Sequence, residues 1–114
     1  MLVPGPAKKI TIHLNEDTSS RSDYLSQEVL LLLLSQGVAG ATLLRPEAGF
    51  GSHQRIHTQE GDAESALHMP LRIEFIDTAE NVQKLLPLLQ ELVTDGLIEA
   101  QDTMILRAAV GIPR

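Results

Sequence analysis

The sequence predicts an α+β domain of four strands and two helices in the order βαββαβ, both helices lying on one face of a four-stranded antiparallel sheet. Two segments alternate apolar and polar residues with a period of two: Ile10, Ile12 and Leu14, and then Leu71, Ile73 and Phe75. Two others repeat apolar residues at helical spacing: Leu25, Val29, Leu32 and Leu33, and then Val82, Leu85, Leu86, Leu89 and Val93. The chain thereby divides into two strand–helix–strand halves, and the change of period marks each junction.

The first strand is expected to begin after Pro6 and end near Asn15. A polar stretch from Glu16 to Ser22 follows as a loop, with Ser22 or Asp23 placed to cap a helix over Tyr24–Gln36. Leu30 to Leu34 make that helix apolar around most of its circumference, more than the single stripe a surface helix needs. The surplus fits either a helix set deep against its own sheet or one covered by a second subunit or a loop. Gly37 and Gly40 end the helix, and Ala41–Arg45 reads as a short strand that Pro46 interrupts. Residues 47–67 are polar and aperiodic, long for a simple connection, and read as a flexible flap. Met69–Ile76 is the third strand, and Asp77 and Thr78 are placed to cap the second helix. Pro87 removes one amide inside that helix and is expected to bend or distort it. Gly96 closes it, and an extended segment from Ile98 to Leu106 ends the fold.

The 114 residues suit one domain, 1–114, with a single core. Apolar residues make up 43% but aromatic residues only 3%, so the core must be aliphatic, and assembly would help to bury more surface. The absence of cysteine excludes disulfides, cysteine–zinc sites and thiol nucleophiles. A net charge of -6 argues against nucleic acid as a partner, although one local basic pocket could still take a small anion. Met1 to Pro6 show no signal-peptide pattern, and the apolar run Val29–Leu34 is far short of the roughly 20 residues that span a bilayer. A cytoplasmic protein without direct membrane insertion is expected.

Gly40-Ala41-Thr42-Leu43-Leu44, then Gly49-Phe50-Gly51-Ser52-His53-Gln54, then Met69-Pro70-Leu71-Arg72-Ile73-Glu74-Phe75-Ile76-Asp77 carry a family resemblance by their order and spacing. From Lys9 to Leu106 the chain resembles the PII-like family known as domain of unknown function 190 (DUF190), related in fold to the nitrogen regulatory PII proteins. The resemblance implies a ferredoxin-like protomer, a homotrimer whose sheets line the interior, and flap loops beside clefts between subunits. It also implies an adenine nucleotide as a ligand and a partner protein, such as a membrane transporter or channel, that the flap engages. Thr42 matches the second-strand threonine near the nucleotide, Gly49 and Gly51 match the flap-entrance glycines, and Gln54 is a looser match to the flap glutamine. The chain departs from PII proteins at Asp95-Gly96-Leu97-Ile98-Glu99, where they carry a glycine-aspartate-glycine-lysine phosphate loop. It also lacks the flap tyrosine, Tyr24 being its one tyrosine.

The residues themselves offer several sites. Gly49-Phe50-Gly51 could bring backbone amides close to a ligand, or could be a turn anchored by Phe50. Arg45, Arg55, Arg72 and Arg107 carry guanidinium groups that match carboxylate and phosphate, Arg45 and Arg55 standing nearest the flap. The alternative for each is solvent-facing charge. His53 and His57 are weak metal candidates, since they would share a face only if the loop were helical, and His13 and His68 add no clear set. Glu60, Asp62 and Glu64 form an acidic patch, but no nucleophile, base and orienting residue arrive together, so catalysis is not expected. The reading is a PII-like regulator that binds a small anionic metabolite or nucleotide. A metal-binding trimer and a ligand-free interaction module are the alternatives.

Overall fold

In a computed structural model of the protein, the described residues are 2–14, 25–46, 48–50, 57–58 and 70–111. Successive side chains on a strand point to opposite faces. On β1 (Gly5–Leu14) this buries Ile10, Ile12 and Leu14 on one face. The same alternation on β5 (Leu71–Asp77) buries Leu71, Ile73 and Phe75. The antiparallel register sets these rows side by side, Ile10 opposite Phe75, Ile12 opposite Ile73 and Leu14 opposite Leu71. On the other edge of β1 lies β6 (Gly96–Ile105), with Ile98 opposite Ile12. The short β2 (Thr42–Leu44) completes the sheet by pairing with β5, giving the order β2-β5-β1-β6 with every pair antiparallel.

Helices α1 (Leu25–Ser35) and α2 (Ala79–Leu92) contribute Leu25, Val29, Leu33, Leu85 and Leu89 to the same core as the strands. Both therefore cover one face, as the βαββαβ pattern requires. The leucine run of α1 is not enclosed on all sides: Leu30 and Leu32 are half-buried against the core, while Leu31 is 61% and Leu34 73% exposed. Its C-terminus is a Schellman turn. Gly37, at φ 81°, donates to the Leu34 carbonyl, and buried Val38 donates to that of Leu33. α2 starts on two side chains. The Thr78 hydroxyl accepts from the Asn81 amide, and the Asp77 carboxylate accepts from the Thr78 amide and the Asn81 side chain. The helix is continuous across Pro87, which lies on its exposed side.

Several boundaries differ from expectation. β1 starts at Gly5, before Pro6, because Pro6 faces a partner only on the β6 side, where it lies opposite Met104. Pairing with β5 begins at Lys8, so the missing amide of Pro6 interrupts no central ladder. β2 is shorter than Ala41–Arg45, since only Thr42–Leu44 meet β5. Gly96 does not close α2, whose cap is Val93, but opens β6 opposite Leu14. A Cβ at Gly96 would collide with the carbonyl oxygen of His13, so glycine is what lets the two strands meet there. The segment read as an aperiodic loop contains a second small ladder, β3 (Ala48–Gly49) paired antiparallel with β4 (His57–Thr58). Tyr24 and Met69, read as the starts of the first helix and third strand, lie outside the described residues.

Two substitutions test this account. Gly96→Ala is expected to lower unfolding free energy by about 1–3 kcal/mol through overpacking against backbone. Gly37→Ala is expected to cost roughly 1–2 kcal/mol through its left-handed φ alone, since its Cβ would meet no atom. Urea unfolding followed by far-ultraviolet circular dichroism measures both; a neutral Gly96→Ala would contradict the packing at the start of β6.

Candidate functional site

Among the described residues no helix covers the second face of the sheet, and the two central strands place charge on it. Lys9, Thr11 and His13 of β1 alternate with the buried row, as do Arg72, Glu74 and Ile76 of β5. The β2 edge is incomplete: Thr42 pairs with Glu74, so Phe75 to Asp77 extend beyond the ladder. The chain arrives there through Ala39, Gly40 and Ala41, whose side chains are too small to fill the space. A cleft of about 570 Å³ results, within the usual range for small-molecule sites.

Its polar lining comes from the uncovered face: Thr42, Glu74, Lys9 and Thr103. Leu2, Ala39, Ala41, Phe75 and Ile76 give it an apolar side. Such a mixture suits a ligand with one flat or apolar part and one charged or hydrogen-bonding part. The Lys9 ammonium lies 3.7 Å from one oxygen of Glu74, and Arg72 Nε lies 3.3 Å from the other. One carboxylate is thus bracketed by two cations. Further along the same face His13 Nε2 is 2.6 Å from Glu99, with buried Thr11 between the two acidic residues in the register. Lys8 pairs with Asp102 on the other side of the sheet.

Of the residues singled out from sequence, Thr42 lines this cleft and Arg72 stands beside it through Glu74. Arg45 is exposed just beyond β2, and Arg107 is exposed beyond β6; neither lines the cleft. Gly49 is in β3, and Phe50, 64% exposed, follows it. Gly51, His53, Gln54 and Arg55 lie outside the described residues, as do Glu60, Asp62, Glu64 and His68. His57 is in the extended ladder β4, and His53, its counterpart as a metal candidate, lies outside the described residues. Among the described residues no three His, Asp or Glu side chains gather as a metal site. Residues 96–99 are the first four of β6, paired with Thr11–Leu14 of β1, and do not form a phosphate loop. Sequence reading passed over Lys9, Glu74 and Thr103. Charges alternating with the buried rows of the two central strands were the signal for Lys9 and Glu74, whereas Thr103, on the edge strand β6, carried none.

A family model described as DUF190, an uncharacterized family, matches residues 7–105. A UPF0166 protein of Methanocaldococcus jannaschii is 28% identical over 102 residues, covering 84% of this chain and 88% of that protein. Among solved structures, CPII from Thiomonas intermedia, a nitrogen regulatory PII-like protein bound to ADP, AMP and bicarbonate, superposes with a TM-score of 0.67 at 22% identity. That match covers 91% of this chain and 92% of the other. A Thermus thermophilus protein classed as PII-like signaling matches with a TM-score of 0.65 at 18% identity, covering 91% and 93%. The fold is therefore the PII-like, ferredoxin-like α+β fold. Among the described residues no helix is long and apolar enough to cross a membrane.

The bracketed carboxylate is partly solvated, which limits its contribution to stability. Glu74→Gln is expected to change unfolding free energy by no more than about 1 kcal/mol in urea titration. A loss of several kcal/mol would mean that the cluster holds the sheet together and is not available to a ligand.

Proposed function

The chain belongs to the DUF190 family, and from that premise we propose that it is a PII-like regulatory protein whose cleft beside Thr42 binds a small anionic metabolite, an adenine nucleotide in the first instance. The observation that carries the reading is the cleft itself. It has the volume of a small-molecule site, an apolar side for a base, and Thr42, Lys9 and Thr103 as polar partners. Its place in a PII-like scaffold supports the choice of ligand, since CPII is bound to ADP, AMP and bicarbonate. The departure at 95–99 argues that any phosphate is held by other groups than the PII phosphate loop.

In this reading three copies assemble with the uncovered sheet faces inward, which would shelter the charged rows of β1 and β5 and the exposed Leu97. Arg45, Gly49, Phe50, Gly51, Gln54, Arg55 and Arg107 then complete the site from the flap region and the chain end. The protein acts by sensing, not catalysis: ligand binding alters the 47–67 segment and with it the affinity for a partner, a membrane transporter or channel being the class the family resemblance implies. The setting is cytoplasmic.

Isothermal titration of the assembled protein with AMP, ADP, ATP and bicarbonate tests the ligand half, and light scattering tests the trimer. At least one of these ligands is expected to saturate the protein with a dissociation constant below about 1 mM. Absence of heat and of thermal stabilisation at millimolar concentration of all four would sink it.

A further inference from the structure

The arrangement around Glu74 does more than line a cleft. Lys9 meets Glu74 at 3.7 Å, beyond hydrogen-bond length, so it is held by charge alone. Arg72 approaches the opposite carboxylate oxygen at 3.3 Å and does not itself line the cleft. Two cations and one carboxylate leave a net charge of +1 on the cluster. If Lys9 turned away from an ordinary ion pair, it would leave a carboxylate uncompensated beside the incoming anion, and that repulsion would oppose binding. Here Arg72 remains on Glu74. The long, flexible lysine stem allows the ammonium to move without disturbing the strand, whereas the guanidinium is the better fixed partner for a carboxylate.

Resting on the reading that the cleft takes a small anion, we propose that Lys9 is its oxyanion-receiving group and that Arg72 is a positioning residue that keeps Glu74 neutralised when Lys9 turns to the ligand. Lys9 is the one cation lining the cleft among the described residues. Glu74 therefore sets the affinity from both directions. It competes with the ligand for Lys9, and it is prevented by Arg72 from repelling the ligand. The expected ligand carries a phosphate or carboxylate at the Lys9 end and an apolar or aromatic part toward Ala41 and Ile76.

The test is titration of wild-type protein and variants with AMP, adenosine and inorganic phosphate at fixed ionic strength, far-ultraviolet spectra confirming folding. Lys9→Gln should weaken AMP by about tenfold or more while leaving adenosine unchanged, and Lys9→Arg should retain most of the AMP affinity. Arg72→Gln should weaken AMP about threefold although it lies outside the cleft, and Glu74→Gln should strengthen it by a similar factor. In the Glu74→Gln background Arg72→Gln should cause no weakening, so the double variant should bind AMP as tightly as Glu74→Gln alone, whereas independent charge effects would return it to wild-type affinity. Phosphate responding as AMP does would place the recognition in the oxyanion alone; AMP responding without phosphate would show that the base is needed to bring the oxyanion to Lys9. Either result supports the role of Lys9. If wild-type protein binds AMP but the Arg72 and Glu74 variants do not move in opposite directions, this proposal fails and the nucleotide reading stands. If wild-type protein binds none of the three, this proposal fails, and the nucleotide reading falls with it when ADP, ATP and bicarbonate also fail to bind.

Discussion

A central strand flanked by partners on both edges cannot rotate or slip without exchanging its buried and solvated faces. β1 is that strand here, and the rest of the structure depends on its register. Ile10, Ile12 and Leu14 lock to Phe75, Ile73 and Leu71 on one side, and Ile12 meets Ile98 on the other. The same register carries Lys9 beside Glu74 and His13 beside Glu99. Core and cleft are two faces of one alternation. A slip of one residue would bury Lys9 and solvate Ile10, so the packing that stabilises the sheet also positions the charged groups.

The other face of the sheet carries the charged rows and the cleft. The helices contribute aliphatic side chains to one side only, and nearly aromatic-free packing leaves much of the apolar surface of α1 exposed at Leu31 and Leu34. On the other side, charge pairs bridge neighbouring strands where a second layer of the domain would otherwise exclude them. The cleft forms at the place where β2 is too short to cover β5. Ala39, Gly40 and Ala41 leave it open on that side, while Leu2 closes part of it from the chain's first residues. The cleft arises from an incomplete sheet edge, with the sheet itself as its floor.

Most of the scaffold was legible because its periods are clean. Strands with strict alternation, a helix with Val82, Leu85, Leu89 at regular spacing, and the Asp77-Thr78 cap all stand where their patterns place them. Boundaries were less legible, since they depend on partners the sequence does not display. Pro6 is tolerated by the absence of β5 beside it, and Gly96 reads as a helix stop unless the approach of the His13 carbonyl is known. The pairing of Ala48–Gly49 with His57–Thr58 has only two residues on each side, too few for periodicity to register. For the site, Thr42 came from family resemblance, whereas Lys9 and Glu74 needed the cross-strand register to bring them together across more than 60 positions of chain.

The central claim is that the uncovered face and the β2 edge, not the helical layer, form the ligand site. Amide chemical-shift mapping during an AMP titration of the assembled protein tests it most directly. The account predicts concentration-dependent shifts clustered at Lys9, Gly40 to Thr42, Glu74 to Ile76 and Thr103, with α1 and α2 amides distant from the cleft largely unmoved. Shifts confined to the exposed side of α1 or α2, with the cleft residues silent at saturating nucleotide, would contradict it.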